Sequence, residues 1–299
     1  MSQMTSRQIL RAFGLWAWTV LMTGLTVVLG GVPLKALRRD LGRVGYWTLC
    51  GITALALFAS GMKVFAGIYL SLVVLIGLFA EWEELGMSLM PSAFFSLVTT
   101  VLFASAGVAL WISRTGANWK DQILARLDES LKPALELTPS FQFNSHDIMM
   151  QLPSLFIVMW LVTLYLSVLL EKRAVVQSRH AQYEVSFREE LGRINIPNPV
   201  IWAFIFALLG AFGDFGKLGL QAASVNVLNV CLMLFFFQGL AVVSRAFTVF
   251  RIGFFWQALL MIILVSQLWL LSLLGLVDHW VDFRSRLSKG REEMNNELQ

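Results

Sequence analysis

The chain has 299 residues, of which 57% are hydrophobic and only 14% are charged, and its mean hydropathy is +0.70. A soluble domain has about a quarter of its residues charged, so this composition excludes an ordinary soluble protein. The formal net charge is +4. Because the basic residues stand in short clusters between apolar runs, we expect the lipid bilayer as the partner and no nucleic acid.

Eight apolar runs are candidates for membrane helices, since a bilayer core about 30 Å thick needs about 20 apolar residues in a helix. In chain order they are residues 12–34, 44–62, 64–80, 86–112, 152–170, 198–216, 224–246 and 254–277. We therefore predict an all-α fold, a polytopic transmembrane helix bundle that forms a single membrane domain over residues 1–299. Only Lys63 separates the second run from the third. These two runs are either a tight hairpin or one broken element, which leaves seven helices as an alternative.

Two polar segments, residues 113–151 and 171–197, interrupt the apolar runs. In the first, apolar residues recur every four positions between charged residues over positions 118–137. This period predicts an amphipathic helix, which Pro133 limits or kinks. We expect this helix to lie on the membrane interface or to cover the mouth of the bundle.

The basic residues give an ambiguous signal for the orientation of the chain. Lysine and arginine in short loops normally mark the cytoplasmic side of a membrane. The basic cluster at residues 284–291 favours both termini on the cytoplasmic side, whereas the four cations of residues 35–43 favour the opposite. We expect a multi-pass protein of the bacterial cytoplasmic (inner) membrane with both termini inside.

No signature of a soluble enzyme is present in the sequence. The Walker A, GxGxxG, GxSxG and HExxH motifs are all missing, and each of these motifs supplies a specific catalytic or phosphate-binding geometry. The two cysteines, Cys50 and Cys231, lie inside apolar runs, and the three histidines lie in or beside polar stretches. We therefore expect neither an enzyme nor a metal or cofactor site.

Amide side chains in the last two apolar runs are the candidates for binding. A polar group at membrane depth must find a partner within the bundle or in a cavity. Asn226 and Asn229 are three residues apart and share a helix face, while Gln238 lies about 120° away around the same helix. Gln257 lies in the eighth run. These four amides either hydrogen-bond to neighbouring helices or line a solute pocket.

Charged residues at the end of the eighth run form a second candidate group. If the helix continues, Asp278, Asp282 and Arg286 stack at four-residue intervals on one face. Arg286 can then pair with Asp282, but Asp278 needs another cation, such as Arg245 or Arg251, or a bound cationic ligand. The group is either an interfacial salt-bridge anchor or a coupling site.

Four segments of the chain resemble the YybS-like family of bacterial predicted membrane proteins, a family of unknown function. They are residues 187–202 (FREELGRINIPNPVIW), 226–242 (NVLNVCLMLFFFQGLAV), 274–286 (LGLVDHWVDFRSR) and 33–43 (PLKALRRDLGR). The positions that match the family's pattern are Asn226, Gln238, Gly239, Asp278, Asp282 and Arg284. The resemblance adds Arg284 to the charged group and gives none of these positions a known role.

This family is distantly similar to the substrate-binding membrane subunits of energy-coupling-factor vitamin transporters, and more loosely to MreD-like envelope proteins. The first similarity implies a helix bundle with a small-solute pocket and a membrane or cytoplasmic protein partner that supplies energy. The second implies a non-transporting scaffold that organises partner proteins. Because similarity of fold alone is weak evidence of function, both functions remain open from the sequence.

Overall fold

The computed structural model describes residues 6–137, 144–174, 194–213 and 218–287. All regular elements in these ranges are helices, which confirms the all-α fold class. Contacts divide the chain into two compact units, Met1–Phe187 and Arg188–Gln299. The single membrane domain that we expect from the sequence stays a prediction.

The first unit contains six long helices among its described residues. They are α1 (Ser6–Leu25), α2 (Gly31–Ala59), α3 (Lys63–Glu84), α4 (Leu89–Thr115), α5 (Trp119–Leu137) and α6 (Ser145–Ala174). α2 bends at Gly42, whose φ of 69° and ψ of −177° belong to a backbone region that only glycine adopts at low cost. The bend separates the N-terminal part of α2, which carries Lys35 and Arg38, from the part that carries Tyr46 and Trp47.

The second and third apolar runs form a tight hairpin, which decides between the two alternatives. α2 ends at Ala59 and α3 begins at Lys63. The two helices pack closely at Gly77, where an added Cβ would come within 2.7 Å of the Trp47 ring and 2.9 Å of the Tyr46 ring. A larger residue at position 77 would therefore require the Trp47 and Tyr46 rings to shift.

α5 confirms the predicted amphipathic helix. It begins at Trp119 and continues through Pro133 to Leu137, so the proline does not end the helix. α6 follows α5 and packs on α3, where the buried Trp160 donates a hydrogen bond from Nε1 to Ser71 Oγ at 3.2 Å. This bond satisfies an indole N–H that would otherwise be buried without an acceptor.

The second unit contains one long helix and three shorter ones among its described residues. The helices are α7 (Asn198–Phe212), α8 (Leu218–Val249), α9 (Phe254–Ser266) and α10 (Leu268–Val281). The long helix, α8, contacts α7 and α10. α8 packs on α7 where Ala207 and Ala211 lie against Leu228, and an added Cβ on Gly210 would collide with Ser224. Small residues on α7 thus allow the two helices to approach closely.

The number of eight transmembrane helices is not confirmed. Among the described residues, five stretches are long and apolar enough to cross a membrane: Val27–Ala59, Lys63–Glu84, Leu89–Thr115, Ser145–Leu170 and Gly219–Val249. α9 and α10 meet at an angle of 96°, and the number becomes six if this bent pair is one broken span. A chain with this many spans crosses the bilayer repeatedly, which makes it a multi-pass membrane protein.

Three apolar runs do not form one continuous helix of membrane-spanning length. Residues 12–34 are interrupted by a 3-10 turn, Val27–Gly30, between α1 and α2. The run at 198–216 gives α7, whose 15 residues extend about 22 Å at 1.5 Å per residue. The run at 254–277 breaks at Gln267, whose φ of −103° and ψ of 63° are not helical. Apolar composition indicates membrane depth but does not show where the backbone bends.

Candidate functional site

Gln238 of α8 and Asp278 of α10 meet inside the second unit. The side chain of Gln238 is fully buried, and Asp278 is 2% exposed. Gln238 Nε2 donates a hydrogen bond to Asp278 Oδ2 at 3.0 Å, and Gln238 Oε1 accepts one from the backbone N–H of Ile196 at 3.2 Å. One side chain therefore joins α8, α10 and the non-helical segment before α7.

Arg284 supplies the cation that Asp278 needs. Its Nη2 lies 3.0 Å from Asp278 Oδ2, and its Nη1 donates to the carbonyl oxygen of Ile194 at 2.6 Å. We call this group the Asp278 network; it consists of Gln238, Asp278, Arg284 and the backbone of Ile194 and Ile196. Taking one partner away from a buried ion pair leaves an uncompensated charge, which costs about 3–5 kcal/mol. The network therefore holds α8, α10 and the segment at 194–197 together.

Asp282 and Arg286 lie outside this network because α10 ends before them. α10 ends at Val281, and Asp282 has a left-handed backbone with φ of 50° and ψ of 58°. The backbone N–H of Ser285 donates to Asp282 Oδ1 at 3.4 Å. Asp282 therefore caps the turn that follows, and the continuous helix required for a stack of Asp278, Asp282 and Arg286 is interrupted.

Asn226 and Asn229 form a separate polar face on α8, which we call the amide face. Both side chains are half-buried, and Asn226 Nδ2 donates to the carbonyl oxygen of Ala222 in its own helix at 2.8 Å. Ser224 marks the side of α8 that packs on α7. At about 100° per residue, Asn226 and Asn229 lie about 160° and about 140° away from Ser224. The amide face therefore points away from α7.

Gln257 has a local contact at the start of α9. Its Nε2 donates to the carbonyl oxygen of Ile252 at 2.6 Å, in the segment just before the helix begins at Phe254. Gln257 is half-buried. The structure thus places Gln238 in the Asp278 network, the two asparagines on the amide face, and Gln257 at a helix start.

The backbones of α8 and α10 touch at two glycines. A Cβ added to Gly239 would collide with the carbonyl oxygen of Leu271, and one added to Gly275 would collide with the carbonyl oxygen of Phe235. Gly239 directly follows Gln238 in the chain, so this close approach brings Gln238 within reach of Asp278. Gly239 therefore has a steric role that the sequence alone does not show.

Ser272→Ala tests the contact between α8 and α10 with a small change. Ser272 Oγ donates to the carbonyl oxygen of Leu232 at 2.9 Å. We expect the variant to lose about 0.6 kcal/mol of unfolding free energy, the average for a hydrogen bond between membrane helices, in equilibrium unfolding in mixed micelles. The control is Ser266→Ala, because Ser266 is exposed and its hydroxyl donates to the carbonyl oxygen of Ile263 in its own helix. An equal loss in both variants would contradict the assigned contact.

A second set of buried charges lies in the first unit, on α2 and at the end of α3. Lys35 and Arg38 are only 1% and 2% exposed. Lys35 Nζ lies 3.1 Å from Glu83 Oε2, and Arg38 Nη2 lies 2.9 Å from Glu84 Oε2. Two cations are thus taken out of water, and each is compensated by a carboxylate of α3.

Further charges complete this set around Glu81. Arg43 Nε lies 3.0 Å from Glu81 Oε2, and Trp47 Nε1 donates to Glu81 Oε1 at 3.2 Å. Arg39 Nη2 lies 3.7 Å from Glu83 Oε1. We call this set the α2–α3 charge cluster; it consists of Lys35, Arg38, Arg39, Arg43, Glu81, Glu83 and Glu84.

From the sequence alone, the four cations of this cluster are interpreted only as a signal for membrane orientation. Their partners are the three carboxylates of residues 81–84, which end the third apolar run. Opposite charges at positions that a helical hairpin brings together are the signal that could identify the pairs. These cations therefore have carboxylate partners within the protein.

Among the residues that the structure describes, no group of three or more His, Cys, Asp or Glu residues could hold a metal ion. The Asp278 network and the α2–α3 charge cluster consist of hydrogen bonds and ion pairs. Such groups recognise polar or charged ligands, and they also fix helices against each other.

Comparisons with known proteins give a family and no individual relative. The model of one family matches residues 43–279, which include Gln238 and Asp278, while Arg284 lies just beyond the match. The search of curated proteins gave no significant match, and the search of solved structures gave none either. The match covers well over half of the chain, so the protein belongs to the family described as predicted membrane protein (DUF2232).

Proposed function

We propose that this protein is a non-catalytic membrane subunit that binds or transports a small polar solute. The observation that carries the proposal is the amide face of α8. Asn226 and Asn229 lie within the candidate span Gly219–Val249, are half-buried, and point away from α7. Polar side chains at membrane depth are costly, and those that persist commonly contact a solute or another polar group.

The chemistry of two amides favours an uncharged or zwitterionic polar solute. Each carboxamide offers an acceptor oxygen and two N–H donors, so the pair can bond to hydroxyl, amide or carbonyl groups. α8 is fixed by α7 at Leu228, beside the amide face, and by the Asp278 network in its C-terminal half. A site on a fixed element binds with less loss of entropy. Gln257 remains a further candidate contact.

The role proposed here is similar to that of the substrate-binding subunits of energy-coupling-factor transporters, to which the YybS-like family is distantly similar. Such a role includes a membrane or cytoplasmic protein partner that supplies energy. We place the protein in the bacterial cytoplasmic membrane with both termini inside, on the basis of the basic residues 284–291 and the positive-inside rule.

A thermal-shift screen of metabolites on the full-length protein in neutral detergent tests this proposal. We expect one class of polar solute to raise the unfolding midpoint. Removing one amide hydrogen bond should weaken binding about threefold to tenfold in Asn226→Ala and Asn229→Ala, since a neutral hydrogen bond contributes about 0.5–1.5 kcal/mol.

The matched control is Thr248→Ala, because Thr248 is an exposed residue of the same helix and its hydroxyl donates to the carbonyl oxygen of Ser244 in that helix. This variant should bind the solute as the unchanged protein does. A screen without any stabilising solute would reject the proposal. Equal binding by all three variants would also reject it.

A non-transporting membrane scaffold is the second candidate, and α9 favours it. None of the 13 residues of α9 is buried, although Phe254, Phe255 and Trp256 are large and apolar. A helix that is apolar on all sides must lie in lipid or against another protein. The scaffold therefore predicts a stoichiometric partner that co-purifies with the protein and is lost in Trp256→Ala. A monomer that binds a solute and retains no partner would contradict the scaffold.

A further inference from the structure

The α2–α3 charge cluster has one more cation than it has carboxylates. Its cations are Lys35, Arg38, Arg39 and Arg43, and its carboxylates are Glu81, Glu83 and Glu84. A nearby ion pair, Arg11 Nε with Asp40 Oδ2 at 2.9 Å, is neutral and does not change this difference. Two of the cations are almost fully buried. Because Lys35 and Arg38 each have a carboxylate partner, the surplus positive charge lies among the more accessible cations of the cluster. A surplus of positive charge attracts an anion as an additional partner.

The guanidinium of Arg38 shows where that anion would bind. Its Nη2 donates to Glu84 Oε2 at 2.9 Å and to Glu81 Oε1 at 3.4 Å. Its Nε is buried and has no hydrogen-bond partner among the residues that the structure describes. Nε and Nη2 present two parallel N–H groups on one edge of the guanidinium, and an oxyanion normally binds both of them. The carboxylates use only one of the two groups.

The side chain of Glu84 binds Nη2 on this edge and is itself accessible to solvent. It is 59% exposed, while the Arg38 side chain to which it binds is 2% exposed. Arg43, also in the cluster, is 71% exposed and lies at the rim. An anion that displaces the Glu84 carboxylate would reach Arg38 Nε and Nη2 together and would also face Arg43.

The position of the cluster suits a phosphate group at the membrane surface. Glu81, Glu83 and Glu84 lie at the end of the candidate span Lys63–Glu84, where a helix leaves the hydrocarbon core and meets the headgroups. Basic pockets at such positions bind the phosphates of anionic lipids. We propose that the α2–α3 charge cluster binds a phosphate group, carried by an anionic lipid headgroup or by soluble phosphate, in exchange for the Glu84 carboxylate.

The test measures the thermal unfolding midpoint of the delipidated full-length protein in neutral detergent. One arm compares phosphatidylglycerol with phosphatidylcholine, and the other compares inorganic phosphate with chloride at the same ionic strength. A shift with phosphatidylglycerol alone identifies a lipid headgroup as the source. A shift with inorganic phosphate identifies a soluble source.

Three variants make the test specific for the cluster. Arg43→Gln removes an exposed cation. It should weaken binding of whichever anion shifts the midpoint, phosphatidylglycerol or phosphate, about fivefold, since one basic residue near an anionic surface contributes about 1 kcal/mol. Glu84→Gln removes the competing carboxylate and should tighten binding. Arg38→Lys keeps the charge but lacks the two parallel N–H groups, so it should weaken binding even though the net charge is unchanged.

The matched control is Arg114→Gln, which removes one positive charge from the last turn of α4 and should bind the anion as the unchanged protein does. Arg43 and Glu84 are exposed, so their variants should fold even if Arg38→Lys does not. The proposal is overturned if neither phosphatidylglycerol nor phosphate shifts the midpoint. It is also overturned if Arg43→Gln and Arg114→Gln respond alike, or if Glu84→Gln binds no more tightly.

Discussion

Asp278→Ala is expected to lower the free energy of unfolding by about 3–5 kcal/mol, the cost of removing one member of a buried ion pair. The substitution leaves the largely buried Arg284 without its carboxylate and Gln238 Nε2 without its acceptor. Because these groups join α8, α10 and the segment at 194–197, the loss should affect the second unit as a whole. Reversible unfolding of the full-length protein in mixed micelles measures this change.

Asp282→Ala is the matched control for this prediction. Asp282 is an exposed carboxylate four residues further along the chain, and its loss should cost about 1 kcal/mol, the usual value for a helix cap. In the double variant Asp278→Ala with Arg284→Met, no buried cation remains, so the total loss should be smaller than the sum of the single losses. Equal effects of Asp278→Ala and Asp282→Ala, or strict additivity, would contradict the assigned pair.

Gly275→Ala is expected to destabilise the protein by about 3 kcal/mol, near the upper end for forcing extra volume into a packed interior. Its Cβ would meet the carbonyl oxygen of Phe235 and, at 2.8 Å, the backbone nitrogen of Gly239. Backbone atoms cannot rotate away as a side chain can, so α10 must move away from α8. The same unfolding measurement gives the size of the loss.

Gly219→Ala provides the comparison, because an added Cβ at Gly219 in α8 meets nothing within 4 Å. Alanine has a higher helix propensity than glycine by about 1 kcal/mol, so this variant should be as stable as the unchanged protein or more stable. If Gly275→Ala were as stable as the unchanged protein, the close contact between the backbones of α8 and α10 would be contradicted.

The helical class of the fold could be predicted from the sequence because it depends on local properties. Long apolar runs and the four-residue period of α5 require only composition and spacing. The breaks could not be predicted in the same way. The 3-10 turn at Val27–Gly30 and the corner at Gln267 depend on backbone angles within apolar sequence. Together with the short α7, they explain why eight runs give only five or six candidate spans.

The candidate site was predictable in part. The sequence indicates that Asp278 needs a cation, but it does not identify Arg284, because the left-handed Asp282 changes the direction of the chain between them. The carboxylates Glu81, Glu83 and Glu84 were missed, since their role depends on a contact with α2 that lies about forty residues earlier in the chain. Pairs of this kind are tertiary and carry no local pattern.

The most direct test of the amide face as a solute site is labelling with a water-soluble maleimide. Asn226→Cys and Asn229→Cys are made in a chain whose buried cysteines, Cys50 and Cys231, are replaced by alanine. The control is Leu228→Cys on the buried side of α8 that faces α7.

A site open to a polar solute must admit water, so both asparagine variants should react in membrane vesicles while Leu228→Cys does not. A solute found in the thermal-shift screen should then slow the labelling of both. If both positions were as unreactive as position 228, the amide face would have no access to water, and solute binding there would be contradicted.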